Sequence, residues 1–291
     1  TLLTLELANK LQAITTTEVD IRERKTKHDV RAWVQIAQEI TGPKLGRWVH
    51  ALLTSYDVID SGRILHYVRA YQDVILPTTK EIILLLAELS KRFAGQLQIG
   101  RTHGQHALPI TVGFWFATIL NRVLYCTQQM DNYANQLVGK ISGAVGAYNA
   151  QVGLGFSERC APTKTEMDRL HAANWPTETF ENRVLAKLGL LAAPISTQIL
   201  PPEPLAFFLW SCCMLSAALA QLGRDGRNLM RTEIGEIAEA FEAEQVGSST
   251  MAHKHNPLFF ENTEGQWIRN KNEYGKVEDT LISEHQRDLV G

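Results

Sequence analysis

Roughly 40 residues, from Leu205 to Glu244, repeat apolar side chains at helical spacing, with only Gly223, Gly226 and Gly235 as weak points. At 1.5 Å per residue a continuous helix there is about 60 Å long. Such a helix cannot bury its apolar stripe inside a monomer of 291 residues. It must pack in a bundle, and its exposed stripe calls for partner chains. Two further stretches share the period. Between Ser61 and Phe93, Ile64, Val68, Val74, Ile75, Ile82, Ile83, Leu84 and Leu86 recur mostly at helical intervals, and Pro77 interrupts or kinks the run. Thr111 to Lys140 is rich in Phe114, Trp115, Phe116, Leu120 and Leu124. No β-alternation of useful length, low-complexity tract or internal repeat stands out. The expected fold is all-α, a long-helix bundle with three long antiparallel helices and loops gathered at their ends.

Composition excludes several classes. The chain is 45% apolar and 21% charged, ordinary for globular protein. Its net charge is −2, without the basic block that marks nucleic-acid binding. Cys126, Cys160, Cys212 and Cys213 form no CxxC pair, so neither a zinc site nor a disulfide framework is indicated, and a reducing cytosol fits best. No apolar run reaches the ~18 residues of a membrane span. The nearest, Pro204 to Leu222, is broken by Ser211, Ser216 and Gln221. Thr1 opens the chain without Met or a signal-like segment, and Gly291 follows a charged cluster, so both ends read as cuts in a longer protein.

The polar loops carry the chemistry. Val246 to Glu261, VGSSTMAHKHNPLFFE, holds Gly247, Ser248 and Ser249 ahead of Lys254, Asn256 and Pro257, with His253 and His255 interleaved. Backbone N–H groups near Gly247 can cradle an anion and Lys254 adds fixed positive charge, a set suited to a carboxylate or a developing oxyanion. The same residues also describe a solvated charged loop. Gly100 to Pro109, GRTHGQHALP, reads as a structured, partly buried turn whose environment can tune His103 toward neutrality; a core turn with a satisfied histidine fits equally.

Thr4 to Thr16 and Asp29 to Ile40 read as short amphipathic helices. The polar VDIRERKTKHD between them puts His28 near a helix start, where Asp29 can cap or charge the first turn. Gly42 and Pro43 end that helix. His50, Thr54, Ser55 and Asp57 gather at the next helical start, as a carboxylate cradle or as an ordinary cap. ISGAVGAY lacks the spacing of nucleotide loops. Pro176 to Leu190 reads as a short helix with Glu181 and Arg183 exposed, and Ala193 to Pro204 as an irregular connection carrying Ser196, Thr197 and Gln198.

Taken together, GSSTMAHKHNP resembles the GSSxMPxKxNP signature of the fumarase/aspartase superfamily, and TSYD and GRTHGQHALP sit where that superfamily carries its other two signature blocks. The similarity runs along essentially the whole chain. His28-Asp29-Val30, His50 ahead of Thr54-Ser55, GRTH and STQI are most similar to the adenylosuccinate lyase branch. Ala252 stands where that signature usually has Pro, and His255 where relatives often carry Arg.

The resemblance implies residue roles. His103 is the general acid toward the departing nitrogen, and Ser248 the general base at the carbon beside the succinyl carboxylate. Lys254 and Asn256 bind that carboxylate, and Glu261 supports the His103 region. Thr54, Ser55 and Thr102 grip the succinyl group. Gln198, Ser249 and Met251 contact substrate, and His28, Asp29 and His50 line the site. Such elimination needs no metal or organic cofactor. The implied substrate is a succinylated purine nucleotide, with neither nucleic acid nor membrane as partner, in a cytoplasmic homotetramer whose sites draw on three subunits. Residues 1–72 would be the remainder of an N-terminal helical domain and 73–291 the central bundle. Another carbon–nitrogen lyase, a 3-carboxy-cis,cis-muconate cycloisomerase and a non-catalytic relative like the lens crystallins are the alternatives.

Overall fold

The computed structural model describes residues 3–155, 179–240, 250–251 and 253–288. In chain order its helices are α1 (Leu5–Gln12), α2 (Thr16–Thr26), α3 (Asp29–Gly46), α4 (Ser55–Ala70), α5 (Leu76–Arg92), α6 (Val112–Ala134), α7 (Asn149–Gly153), α8 (Phe180–Ala186), α9 (Glu203–Leu229) and α10 (Leu258–Glu278). The strands are β1 (Leu97–Thr102), β2 (Gln105–Thr111), β3 (Val138–Gly139) and β4 (Leu191–Ala192). The chain forms two compact units: Thr1–Leu65 with Val138–Pro201 and Glu284–Arg287, and His66–Leu137 with Pro202–Ser283 and Asp288–Gly291.

In the first unit, α2 forms where the sequence is mostly polar, with Val19 and Ile21 the only apolar residues of the helix. Thr15 and Glu18 build a reciprocal capping box, with Thr15 N–H donating to Glu18 at 2.7 Å and Glu18 N–H to Thr15 Oγ1 at 3.2 Å. Arg22 then joins α2 to α3 through Glu39 at 2.6 Å. Gly42, at φ 71°, breaks helical geometry ahead of Pro43, so α3 is two helices joined across a kink and the first of them ends there as expected. The short parallel pair β3–β4 closes the unit, with Val138 opposite Leu191 and Gly139 opposite Ala192. Glu181 in α8 is buried, contrary to the exposed position its charge suggests. It accepts the Ile141 N–H at 2.7 Å and the Tyr148 hydroxyl at 2.6 Å. Burial pushes its carboxyl above the ordinary range.

The second unit is the helical bundle. α6 packs on α5 and α9, and α9 on α10. A π-helical turn, Tyr71–Ile75, links α4 to α5 and precedes Pro77, which lies in α5's first turn and so extends the helical path instead of ending it. Close approach sets the contacts. A Cβ on Gly113 would lie 2.3 Å from Ser90 O, and one on Gly226 would lie 2.5 Å from the Phe260 ring. By length and composition α9 could cross a membrane, despite its interrupting polar residues; its packing against α6 and α10 is that of a core helix.

Two expectations are corrected here. The pattern from Leu205 to Glu244 is not one helix: α9 ends at Leu229. Gly235, at φ 59°, then turns the chain so that the Glu236 N–H bonds Leu229 O at 3.0 Å. Residues 241–244 lie outside the described residues, as do Cys160 and Pro176. Gly100 to Pro109 is a structured turn as expected, but it is built by the antiparallel β1–β2 hairpin, a strand pair where no β-alternation was expected.

Gly113→Ala should overpack the α5–α6 contact against main chain, which cannot rotate away. Destabilisation of about 3 kcal/mol, read as a lowered Tm in thermal unfolding, is expected.

Candidate active site

The first unit gathers six of the expected site residues around the start of α4. Lys27 ends α2 in the left-handed region, at φ 54°. The chain then turns so that His28 caps α3, its Nδ1 accepting the Arg31 N–H at 3.4 Å. Its Nε2 lies 3.3 Å from Ser55 Oγ, the first residue of α4. In that tautomer the ring proton sits on Nε2 and is donated to the serine, leaving the serine hydroxyl hydrogen for another acceptor. Asp29 Oδ1 is 3.2 Å from the same Nδ1.

A cavity of about 280 Å³ opens at this point, lined by Glu23, Lys27, His28, Asp29, Ser55 and Tyr56, with Ile59 and Arg287. Arg287 carries no motif, and Tyr56, though it lies within TSYD, is absent from the expected set. The Arg287 guanidinium carbon lies 3.6 Å from the Tyr56 ring centroid, and Nη1 donates to Gln198 Oε1 at 3.0 Å. Gln198 Nε2 in turn donates to Ala144 O at 2.9 Å. The cavity therefore brings a serine hydroxyl, an imidazole, the Lys27 and Arg287 cations and the Glu23 and Asp29 carboxylates together beside a helix start, a mixed set of hydrogen-bonding and charged groups.

Thr54 precedes α4, and its N–H donates to Asp57 Oδ2 at 2.7 Å. Asp57 also accepts the Gly143 N–H at 3.2 Å and pairs with the Lys140 ammonium, both side chains being fully buried. His50 sits in the strained connection before α4, at φ 64°, and is half-buried. Burial holds its imidazole below the usual histidine range.

The second unit holds the rest. Thr102 and Gln105 pair across the tip of the β1–β2 hairpin, and His103 and Gly104 make its two-residue turn at φ 53° and 74°. Positive φ at both central positions is the type I′ pattern. Thr102, His103 and His106 are exposed, so the partial burial expected of this stretch is not found within the chain. Arg101 crosses from the hairpin to Glu236 at 2.5 Å, and Gln98 adds a bond to the same carboxylate at 3.1 Å. Met251 and Lys254 are exposed and Asn256 is half-buried just before α10. Glu261, in the first turn of α10, lies 3.8 Å from Arg227. Ser248 and Ser249 lie outside the described residues.

A family model described as Lyase matches residues 5–163 and 168–269. The chain is 35% identical over 264 residues to an adenylosuccinate lyase of Archaeoglobus fulgidus, a match covering 89% of this chain and 53% of that protein. It spans about half the length of the curated relatives it matches. Its fold is similar to that of a 3-carboxy-cis,cis-muconate lactonizing enzyme from Pseudomonas putida, with TM-score 0.74 and 24% identity over 96% of this chain and 57% of the other. A fumarate lyase from Mesorhizobium sp. BNC1 gives TM-score 0.74 and 20% identity over 99% and 60%.

His50 makes the site's surroundings sensitive to acid. Its folded pKa lies below its unfolded value, so its contribution to stability is present above the unfolded pKa and is lost as pH falls through the folded one. Thermal unfolding of His50→Gln followed from neutral to acid pH should therefore lose less stability than the parent across that window.

Proposed function

The chain belongs to the Lyase family of the fumarase/aspartase superfamily, and from that premise we propose that it cleaves adenylosuccinate to AMP and fumarate. The same chemistry extends to the succinylated aminoimidazole carboxamide ribotide of purine synthesis. The observation that carries this reading is the cavity beside α4, where the expected site residues His28, Asp29 and Ser55 come together with Arg287.

The reaction is a β-elimination. The carbon–nitrogen bond to the succinyl group breaks, a proton leaves the carbon next to its carboxylate, and a carbon–carbon double bond forms. Removing that proton loads further negative charge onto a carboxylate. Fixed donors aimed at the charge lower the barrier by roughly several kcal/mol. Lys254 and Asn256 fill that role, with Thr54, Ser55 and Thr102 gripping the succinyl group. Ser248 takes the carbon-bound proton, and His103 gives one to the leaving nitrogen. Exposure of the His103 hairpin tip supports this, since an acid serving a site shared between protomers has to stand clear of its own chain.

Homotetrameric assembly with sites built from three subunits goes with the reading. On α9, Phe207, Trp210 and Met214 remain 49%, 44% and 43% exposed, a stripe in want of cover. In the same reading the protein is cytoplasmic, residues 1–72 are the remainder of an N-terminal domain and 73–291 the central one.

Fumarate release from adenylosuccinate by the full-length protein tests the reaction. Ser248→Ala and His103→Asn should each lower it by about 10²–10⁴-fold. Unchanged release in either variant removes that residue's role, and release only from a different succinylated amine reassigns the substrate. Sedimentation at micromolar concentration should give a tetramer; a stable monomer there would overturn the assembly.

A further inference from the structure

The most deeply buried charge in the first unit takes no part in the proposed reaction. Lys140 and Asp57 are each 0% exposed. Asp57 lies in the first turn of α4, which Ser55 begins and Thr54 precedes. Its carboxylate is fully engaged by the Thr54 N–H at 2.7 Å, the Gly143 N–H at 3.2 Å to each oxygen, and the Lys140 ammonium. The lysine backbone is fixed as well: Lys140 N–H donates to Ser61 Oγ at 3.0 Å, and that hydroxyl donates back to Lys140 O at 2.8 Å.

We infer that Lys140 is a positioning residue that holds the Thr54–Ser55 grip through Asp57 and cancels a carboxylate that would otherwise repel the dicarboxylate end of the substrate. This rests on the reading of Thr54 and Ser55 as the succinyl grip. Asp57 locks the Thr54 backbone from within the first turn, which orders the two hydroxyl residues before substrate arrives. Alone, it would also set a full negative charge beside the place where a dianion binds, in surroundings that water and salt screen poorly. The ammonium removes that charge without competing for the ligand, because it has no exposure through which to reach one.

The same segment extends the order to the cavity's far side. Ser142 Oγ and Ser196 Oγ are 2.7 Å apart, and Ala144 O holds the Gln198 amide that receives Arg287. Lys140 thus anchors the loop against which the cavity's guanidinium is set.

Calorimetric titration of the full-length protein with fumarate, and with monomethyl fumarate, tests this directly. Lys140→Gln keeps a donor for Asp57 but removes the cation. It should weaken fumarate binding about ten-fold and monomethyl fumarate binding about three-fold. It should also raise KM for adenylosuccinate with kcat little changed. Asp57→Asn keeps an acceptor for the Thr54 N–H and removes the anion, so it should bind fumarate at least as tightly as the parent. A merely structural pair makes both halves act alike. Equal weakening by both variants, or unaltered fumarate affinity in Lys140→Gln, overturns the inference. If Lys140→Gln does not fold, Asp57→Asn decides: tighter or equal binding supports the inference, weaker binding overturns it. A parent protein that binds no fumarate overturns it too. A parent that binds fumarate yet releases none from adenylosuccinate refutes the proposed reaction and leaves the affinity comparison standing.

Discussion

One ion pair without solvent contact, Lys140 with Asp57, sets the geometry of the first unit. Burying two charges is costly, and such a pair seldom adds net stability over apolar residues of the same size. Losing one partner is far worse, at about 3–5 kcal/mol, because the other charge is left stranded. What the pair supplies is geometric definition. The segment after β3 has little regular structure, and its polar backbone is satisfied by side chains from elsewhere in the unit. Ser61 takes both backbone groups of Lys140, Glu181 takes the Ile141 N–H, and Gln151 reaches Leu52 O at 3.0 Å and Ile141 O at 2.9 Å. Hydrogen bonds of this kind give a loop the supporting shell that a binding site built on it depends on.

The second unit reaches order by a different route, through close helix contacts made possible by glycine and through carboxylates placed at chain turns. Glu236 fastens the segment after α9 to the hairpin that bears Thr102 and His103. Three residues on, Glu239 accepts the Phe259 and Phe260 N–H groups at 3.2 and 2.7 Å, capping α10 from outside the helix. Glu264 is clasped by Arg224 and Arg227 across α9 and α10, and Arg224 holds its carboxyl below the ordinary range. The segments flanking the signature residues are therefore tied to the bundle by carboxylate contacts as well as by apolar packing such as that of Phe260 on Gly226.

The long helices were legible because their apolar period survives in the sequence, and three motifs mark the candidate site residues. Other features escaped for physical reasons. Buried positions Ile64, Tyr71, Thr79 and Leu86 are spaced by seven, eight and seven residues; the π-helical turn supplies the extra one and rotates the stripe, leaving Val74 and Leu84 at 61% and 70% exposure. The β1–β2 hairpin shows no clean alternation because both of its faces are largely open to solvent, with Leu97 and Leu108 exposed. Helix α2 depends on its capping box, not on an apolar face. Lys140 and Glu181 belong to residue types that are usually outside, and only their partners, brought from 83 and 40 positions away, explain their burial. Arg287 stands in a charged cluster with no pattern to single it out.

The left-handed backbone at His103 has a consequence for what sequence change can explore there. Histidine, asparagine and aspartate tolerate that conformation better than most side chains, whereas a β-branched residue resists it by about 1–2 kcal/mol or more. The imidazole and the reversal of direction are thus bound into a single choice of amino acid. A lineage that changes this residue still has to satisfy the bend, and the replacements open to it are those whose backbone habits match, whatever their chemistry.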